Sequence, residues 1–189
     1  LHVDDDVYEK ELADGTLFQF LFRTKIARDF LMSKETKPNH VWEPQTTKLL
    51  LRLAQETKGD VLVGGAYFGD QAILLAKSIQ PAGRRLHGFE PNTEQAAMFA
   101  KNVSINNLNN VEIHGLGLWS ESSVKLKLDG FDSFANAILA AEDDAGFQTI
   151  TIDDYVAKQG CTLSLIQMDI EGAELAALKG AHKCIASSK

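Results

Sequence analysis

The sequence reads DVLVGGAYFGD at residues 60–70, a short apolar run that leads directly into a glycine-rich turn. A helical pattern, QAILLAKSIQ, follows the turn, and RLHGFE at residues 85–90 gives the next apolar run. The stretches TEQAAMFAKNVSIN and VEIHG then repeat this alternation. Continuous apolar strands separated by helices are typical of a parallel sheet that is covered on both faces. We therefore predict a doubly wound, mostly parallel α/β fold.

The N-terminal region shows a different pattern. A helix is predicted over residues 4–34 because apolar residues recur there at helical spacing, with charges between them: Phe18, Leu21, Phe22 and Ile26. Pro38 ends this segment, since proline breaks helices. We predict an N-terminal helical arm over residues 1–40 and a ligand-binding domain over residues 41–189, which opens with a helix at residues 43–57. The apolar residues of the arm fit a packing helix or the surface of a homo-oligomer.

The last third of the chain adds further elements. VKLKL alternates as a half-exposed strand does, TITID and LSLIQMDI are predicted strands, and DDYVAKQG and EGAELAALKG are predicted helices. CIAS, at residues 184–187, is predicted to begin one more strand. The stretch between residues 131 and 146 fits a loop or a substrate-side insertion, and three of its residues fit core or loop roles better than contact with an acceptor: Phe131, Phe134 and Asn136.

Composition excludes several classes of protein. The chain has 189 residues, of which 44% are hydrophobic, so it can bury a core. Its net charge of -7 argues against nucleic acid or an anionic membrane as the main partner, because both need a cationic face. No apolar run approaches the roughly 18 residues that a membrane-spanning helix needs. Cys161 and Cys184 are predicted to be buried free thiols and, with no signal-like segment at the start, we expect a cytoplasmic location.

The ends of the predicted strands carry the candidate ligand-binding residues. In an open parallel sheet, ligands bind beyond the carboxyl ends of the strands. Gly64, Gly65 and Gly69 permit a tight turn and a close backbone approach there. Glu90 follows Gly69 by 21 residues and ends the second strand. A carboxylate in that place can accept hydrogen bonds from both hydroxyls of a ribose.

The charge of the turn separates two kinds of ribose ligand. Dinucleotides need a loop that cradles pyrophosphate, commonly GxGxxG, whereas this turn reads GGAYFG and is followed by Asp70. An acid repels a phosphate but attracts a sulfonium or an ammonium. S-adenosylmethionine (SAM) has a ribose and two cationic centres and no phosphate, so Asp70, Glu90 and Asp169 fit SAM better than NAD.

Several motifs together resemble one family. VLVGGAYFGD, HGFEPN, NNLNNVEIHGLGLW, TITIDDYV and LSLIQMDIEGAELAALKGA look like the successive motifs of FkbM-type SAM-dependent methyltransferases, over about residues 41–181. The strand followed by Asp-Ile-Glu-Gly-Ala-Glu is the most specific of them. The resemblance implies the class I, Rossmann-like methyltransferase fold, with SAM as cofactor, and O-methylation of a hydroxyl on a sugar or other small molecule.

The resemblance also implies roles for individual residues. Gly65, Ala66 and Gly69 match the SAM loop. Glu90 matches the ribose-binding acid, and Asn92 completes its motif. The late acidic motif is matched by four residues: Asp169, Glu171, Gly172 and Glu174.

Two further positions complete the predicted cofactor site. Glu43 resembles the acid of the family's Tyr-Glu-Pro segment, which would reach the methionine end of SAM. Leu116, between two glycines, could frame the adenine. His114 is the best placed histidine, although a strand-end histidine with a backbone partner is its simpler interpretation.

The chain departs from the family pattern in three respects. Val63 stands where the family usually has Asp, and Gln167 where it commonly has Lys. The family fold normally has seven strands, the last two forming a hairpin, whereas this chain ends near the fifth. We therefore expect the domain to be incomplete at its C-terminus.

Asp169 is the candidate catalytic residue. The donor methyl is already activated in SAM, so the protein mainly positions and desolvates the reactants. Asp169 could act as the general base for a neutral hydroxyl, ligate a divalent cation that lowers the pKa of the acceptor, or only orient backbone or SAM. Glu171 and Glu174 are predicted in the first turns of a helix, where its dipole explains them without a catalytic role.

Two other functions stay open at this point. A non-catalytic domain with a degenerate SAM pocket would explain Val63, Gln167 and the early end of the chain. A nicotinamide-dependent oxidoreductase is disfavoured by the altered glycine loop and by Asp70.

Overall fold

The structure is a computed structural model that describes residues 6–129, 136–141 and 143–187. The chain starts with an antiparallel hairpin, β1 (Val7–Glu11) and β2 (Leu17–Leu21), followed by helix α1 (Lys25–Leu31). The predicted helical arm is therefore wrong over the hairpin. Phe18 and Phe20 are both fully buried, which is the period of two that a strand requires and that the helical spacing concealed.

The hairpin packs on the rest of the protein through aromatic side chains. The ring of Phe68 lies 6.2 Å from that of Phe18 and 5.8 Å from that of Phe20. The buried side chain of Asn102 adds hydrogen bonds, donating to the carbonyls of Gln19 and Phe68 at 2.9 and 2.8 Å. Hairpin and glycine-rich loop thus share one hydrophobic core.

The middle of the chain confirms the predicted alternation of helices and strands. Its elements are α2 (Pro44–Glu56), β3 (Asp60–Gly64), α3 (Ala72–Ile79), β4 (Leu86–Phe89), α4 (Thr93–Ile105) and β5 (Val111–His114). Asn92 caps α4, because its side-chain oxygen accepts from the backbone N–H groups of Glu94 and Gln95.

The remaining elements form a small second sheet and complete the first. They are β6 (Gly117–Leu118), β7 (Lys125–Asp129), β8 (Asn136–Leu139), β9 (Phe147–Ile150), α5 (Ile152–Gln159), β10 (Leu163–Met168), α6 (Glu174–Lys179) and α7 (His182–Ser187). The strand predicted at CIAS is wrong, since these residues belong to α7. The N–H of Ile185 donates to the carbonyl of Ala181, four residues earlier, at 2.9 Å, which is the hydrogen bond of a helix and not of a strand.

The main sheet has the order β10-β3-β4-β5, and all its strands are parallel. Alternate residues of β3 enter two separate cores, Val61 and Val63 on one face and Leu62 on the other. This confirms the doubly wound α/β fold. Gly64 pairs with both Phe89 and Met168, so the segments that follow β3, β4 and β10 meet at one edge of the sheet. Within the described residues, no helix is both long and apolar enough to cross a bilayer.

Candidate cofactor site

A cleft lies at the carboxyl edge of the main sheet, where the fold class predicts a ligand. Six residues singled out from the sequence line it: Gly65, Asp70, Glu90, Asn92, Leu116 and Asp169. They come from the segments after β3, β4, β5 and β10, which the parallel register brings together. The other three predicted cofactor residues, Glu43, Ala66 and Gly69, do not line this cleft.

Gly65 allows two strands to meet beneath the cleft. Its φ of +71° lies in the left-handed region, and a Cβ at this position would overlap the carbonyl oxygen of Asp169. Ala66 is buried and shapes the loop from below, because its N–H donates to the carbonyl of Phe89 at 3.0 Å. Gly69 (φ +91°) packs against the ring of Phe99. Ala66 and Gly69 therefore shape the turn, while Gly65 borders the ligand space.

Glu90 is the most buried acid of the cleft, with 7% of the residue exposed. Its Oε2 accepts from the N–H of Tyr67 at 2.8 Å, and its Oε1 accepts from the N–H of Asn92 at 2.9 Å. Burial raises the pKa of this carboxyl, against the lowering effect of the two N–H donors. Each oxygen keeps a second lone pair, so the side chain can accept two further hydrogen bonds from a ligand.

The cleft is acidic, and no basic side chain lies among the described residues that line it. Among the described residues that line it, Asp70, Glu90, Asp169 and Glu171 are acidic, and none is Lys, Arg or His. Desolvation raises the pKa of Asp70 to about 7, and the neighbouring carboxylates of Asp169 and Glu43 contribute. Desolvation, followed by Glu43 and Glu174, raises the pKa of Asp169. Carboxylates crowded in this way favour a bound cation.

Strained backbone occurs at three residues in or beside the cleft, and also at Asn107 and Ser123, which do not line it. Glu43, Tyr67 and Glu171 have φ values of 42°, 50° and 52°, a region that costs a residue other than glycine about 1–3 kcal/mol. Glu43 lies in an adjoining groove with Trp42, and its carboxylate still acts on Asp70 and Asp169. Strain that persists at a cleft is a common feature of functional sites.

The loop is tied to the N-terminal region by Tyr67. Its hydroxyl donates to Oγ1 of Thr24 at 2.6 Å, and the same Oγ1 accepts from the N–H of Ala27 at the start of α1. Tyr67 also lines the cleft. The N-terminal region therefore contacts the candidate site through this hydrogen bond and through Ile26 of α1, which also lines the cleft.

The acidic residues of the late motif occupy different places in the structure. Helix α6 begins at Glu174, whose Oε1 accepts from the N–H of Ile170 at 3.0 Å. Glu171 was expected in the first turns of this helix, but it precedes the helix and lines the cleft. Asp169 directly follows β10, and its N–H donates to the carbonyl of Gly64 at 3.1 Å.

The sequence interpretation missed several lining residues, notably Trp42, Tyr67, Phe89 and Phe147. Their signal was weak, because buried and lining aromatics look alike in a sequence. Gln167 also lines the cleft, and its Oε1 is buried without a hydrogen-bond partner among the described residues. Such an acceptor fits a ligand donor. Phe131 and Phe134 lie outside the described residues, as does the side chain of Asn136.

His114 belongs to a hydrogen-bonded group beside the cleft. Its Nε2 lies 2.8 Å from the hydroxyl of Tyr155, which in turn lies 2.7 Å from Nδ1 of His87. The partner of His114 is thus a side chain and not the expected backbone group. Burial lowers the pKa of His114. Neither histidine lines the cleft.

Comparison with known families identifies this arrangement. The Methyltransferase FkbM domain matches residues 64–188, which is most of the chain. The chain belongs to the FkbM methyltransferase family. The match covers the glycine-rich loop from Gly64, the acid Glu90 and the late motif around Asp169. Membership of this family favours SAM as the cofactor over a nicotinamide.

Solved structures include other methyltransferases. The FkbM methyltransferase of Methylobacillus flagellatus KT is 24% identical, with a TM-score of 0.47, and the match covers 69% of this chain and 31% of that one. TYW2 of M. jannaschii, solved in complex with AdoMet, is 21% identical, with a TM-score of 0.38 over 60% of this chain and 44% of that one. A SAM-dependent O-methyltransferase of Thermotoga maritima is 14% identical, with a TM-score of 0.37, and the match covers 62% of this chain and 58% of that one.

The chain spans about a third of the length of the Methylobacillus protein. No curated protein sequence matches it. What the family match provides is membership of a SAM-dependent methyltransferase family with a Rossmann-like fold.

Proposed function

We propose that this chain binds SAM in the cleft and transfers its methyl group to a hydroxyl of a small molecule or sugar. The observation that carries the proposal is Glu90, a buried carboxylate that accepts from the glycine-rich loop at Tyr67 with one oxygen and from Asn92 with the other, and still offers two lone pairs to the cleft. A ribose presents two adjacent hydroxyl donors that match these lone pairs.

The other lining residues suit the rest of SAM. Leu116 and Phe89 give an apolar wall for the adenine ring. Asp70 and Asp169 supply the negative charge that a sulfonium and an ammonium need, and Glu43 adds to it from the adjoining groove. The orphaned Oε1 of Gln167 can accept from the ammonium or from an acceptor hydroxyl.

Asp169 is the proposed general base. SAM supplies a methyl group on a positively charged sulfur, so the protein has only to orient the hydroxyl and remove its proton. Asp169 follows β10 at the cleft, and its raised pKa improves it as a proton acceptor. A divalent cation at Asp169 stays an alternative for the same task.

The negative charge of the protein favours a neutral acceptor over a polyanionic one. With a net charge of -7 and an acidic cleft, a polyanionic acceptor such as nucleic acid is disfavoured. A neutral hydroxyl compound carries no such penalty. The two free cysteines fit a reducing compartment, so we also propose a cytoplasmic enzyme.

Calorimetric titration with SAM and S-adenosylhomocysteine tests the cofactor site. We expect micromolar dissociation constants for the wild type and at least about tenfold weaker binding for Glu90→Ala, because one hydrogen-bonded charge is lost. Glu94→Ala is the matched control, since that exposed glutamate pairs with Arg23 outside the cleft. Equal affinity in Glu90→Ala and wild type would overturn the ribose role.

Transfer of a labelled methyl group from SAM to a panel of sugars and other hydroxyl compounds tests the reaction. We expect Asp169→Asn to lower kcat by about 100-fold or more and to leave the dissociation constant of S-adenosylhomocysteine within a few fold. Loss of both activity and binding would contradict the role of a base. Binding without transfer to any acceptor would favour the non-catalytic SAM-binding domain.

A further inference from the structure

A second group of ligand-type side chains lies at the opposite end of the main sheet. Asp60 begins β3, His87 lies in β4, and Cys161 connects α5 to β10. Their carboxylate, imidazole and thiol atoms all lie within 4.8 Å of one another. His87 is 1% exposed as a side chain, and Cys161 is partly buried. None of the three lines the cofactor cleft.

The backbone already holds these three segments together. The N–H of Asp60 donates to the carbonyl of Thr162 at 2.8 Å, which fixes the residue next to Cys161 beside the start of β3. Asp60 Oδ1 accepts from the N–H of Arg85, and its Oδ2 lies 3.4 Å from Nε2 of His87. Two of the three groups are therefore oriented towards each other before any ion arrives.

We propose that Asp60, His87 and Cys161 bind a divalent transition-metal ion of the zinc type, with water at the fourth position. One carboxylate, one imidazole and one thiolate form a donor set that zinc uses in tetrahedral sites. On binding, the ion exchanges water for bonds to the Asp60 carboxylate, His87 Nε2 and Cys161 Sγ, and the thiol proton leaves to solvent. The two negative ligands then neutralise the ion.

The surroundings of His87 supply the support that such a ligand needs. With the ion on Nε2, the proton of His87 lies on Nδ1 and is donated to the hydroxyl of Tyr155, 2.7 Å away. Tyr155 can then donate its own proton to Nε2 of His114, 2.8 Å away. A metal-bound histidine usually donates its other N–H in this way.

The same contacts argue against a neighbouring group, His87, Glu112 and His114, whose atoms also lie within 4.8 Å. An ion there would occupy the two ring nitrogens that contact Tyr155. Its hydroxyl, on a residue only 2% exposed, would lose both partners. Leaving a buried hydroxyl without a hydrogen-bond partner is unfavourable.

The proposed ion stabilises the fold, because its ligands join the α5–β10 connection to two strands and none of them lines the cleft. Binding to the folded state alone must raise the melting temperature. The proposal is independent of methyl transfer and can be tested without a cofactor or an acceptor.

The test uses chelator-treated protein titrated with Co²⁺, and then with Zn²⁺ in thermal unfolding. We expect one equivalent of Co²⁺ with thiolate-to-cobalt charge-transfer absorption, at least tenfold weaker in Cys161→Ser and unchanged in Cys184→Ser, the other free cysteine. Zn²⁺ should raise the melting temperature of the wild type and of Cys184→Ser, and not that of Cys161→Ser.

Three results would overturn the proposal. They are the absence of saturable Co²⁺ binding in the wild type, charge-transfer absorption that persists in Cys161→Ser, and binding that survives in Cys161→Ser but is lost in His114→Ala. The last result would assign the ion to the neighbouring group. Circular dichroism of each variant confirms that it is folded, so that lost binding reports on the site.

Discussion

The carboxylates near the two ends of strand β3 differ in whether the protein gives them a basic partner. At the amino end, Asp60 accepts a backbone N–H and lies 3.4 Å from a ring nitrogen of His87, while Arg85 pairs with Glu112 nearby. At the carboxyl end, Asp70 and the other acids that line the cleft have no basic neighbour among the described lining residues. The amino end thus has a guanidinium of the protein beside its acids, whereas no lysine, arginine or histidine lies among the described residues that line the cleft at the carboxyl end.

This difference indicates that the acids at the amino end of β3 contribute to stability, whereas those at its carboxyl end serve ligand binding. Desolvation, and then the neighbouring carboxylates, raise the pKa values of Asp70 and Asp169, so ionisation of these acids costs free energy in the folded state. Such a cost is expected where a cationic ligand will bind. The predictions below perturb first the carboxyl end and then the amino end.

The largest effect is expected from Gly65→Ala. The new Cβ would overlap the carbonyl oxygen of Asp169, and the φ of +71° adds strain, so we expect a loss of more than about 3 kcal/mol in the free energy of unfolding. Gly83→Ala is the matched control, because its φ is +68° with nothing within 4 Å of a Cβ. Urea denaturation measures both, and similar losses would show that strain alone is decisive.

Asp70→Asn should give an effect that depends on pH. The folded pKa of about 7 exceeds the ordinary 3.8, so between these values the folded protein holds a proton that the unfolded chain has lost, and stability falls as pH rises through this window. The variant removes that loss. We expect it to be more stable than wild type by about 1–3 kcal/mol at pH 8, and by clearly less at pH 5.

Ligand binding should change in the opposite sense. At pH 8, Asp70→Asn should weaken binding of SAM more than that of S-adenosylhomocysteine, because only SAM carries the sulfonium charge. Calorimetry with both ligands at pH 8 and pH 5 measures this preference. A variant that loses affinity for both equally would show that Asp70 does not face the sulfur.

Arg85→Gln should have the smallest effect. The guanidinium lies 2.7 Å from Glu112, but its side chain is 64% exposed, and exposed ion pairs contribute less than about 1 kcal/mol. The bond to Asp60 comes from the backbone N–H and is kept. We expect the melting temperature to change by less than about 3 °C. A larger loss would mean that the amino end depends on side-chain charge.

The central part of the fold could be predicted because its strands are buried on both faces. Continuous apolar runs such as residues 61–63, each followed by a helical pattern, permit little besides a parallel sheet. The edge of that sheet then predicts where Glu90 and Asp169 meet. The sequence predicted a tight turn at Gly65. It did not show that a Cβ at this position would overlap the carbonyl oxygen of Asp169.

The N-terminal hairpin could not be predicted in this way. Phe18, Leu21 and Phe22 satisfy helical spacing, while Phe18 and Phe20 satisfy the period of two that the structure follows. The choice depends on Phe68, which is 50 residues from Phe18 in sequence and packs against both rings. The partner of His114 was missed for the same reason, since Tyr155 reaches it from a distant helix.

The hydrogen bond from Tyr67 to Thr24 has a thermodynamic consequence. A nucleoside that immobilises the glycine-rich turn also immobilises the ring of Tyr67, and through its hydroxyl the cap of α1. Ligand binding in the cleft therefore reduces the fluctuations of α1, and a more ordered α1 in turn favours ligand binding. Hydrogen–deuterium exchange of the α1 amides should report saturation of a pocket that α1 borders only through Ile26.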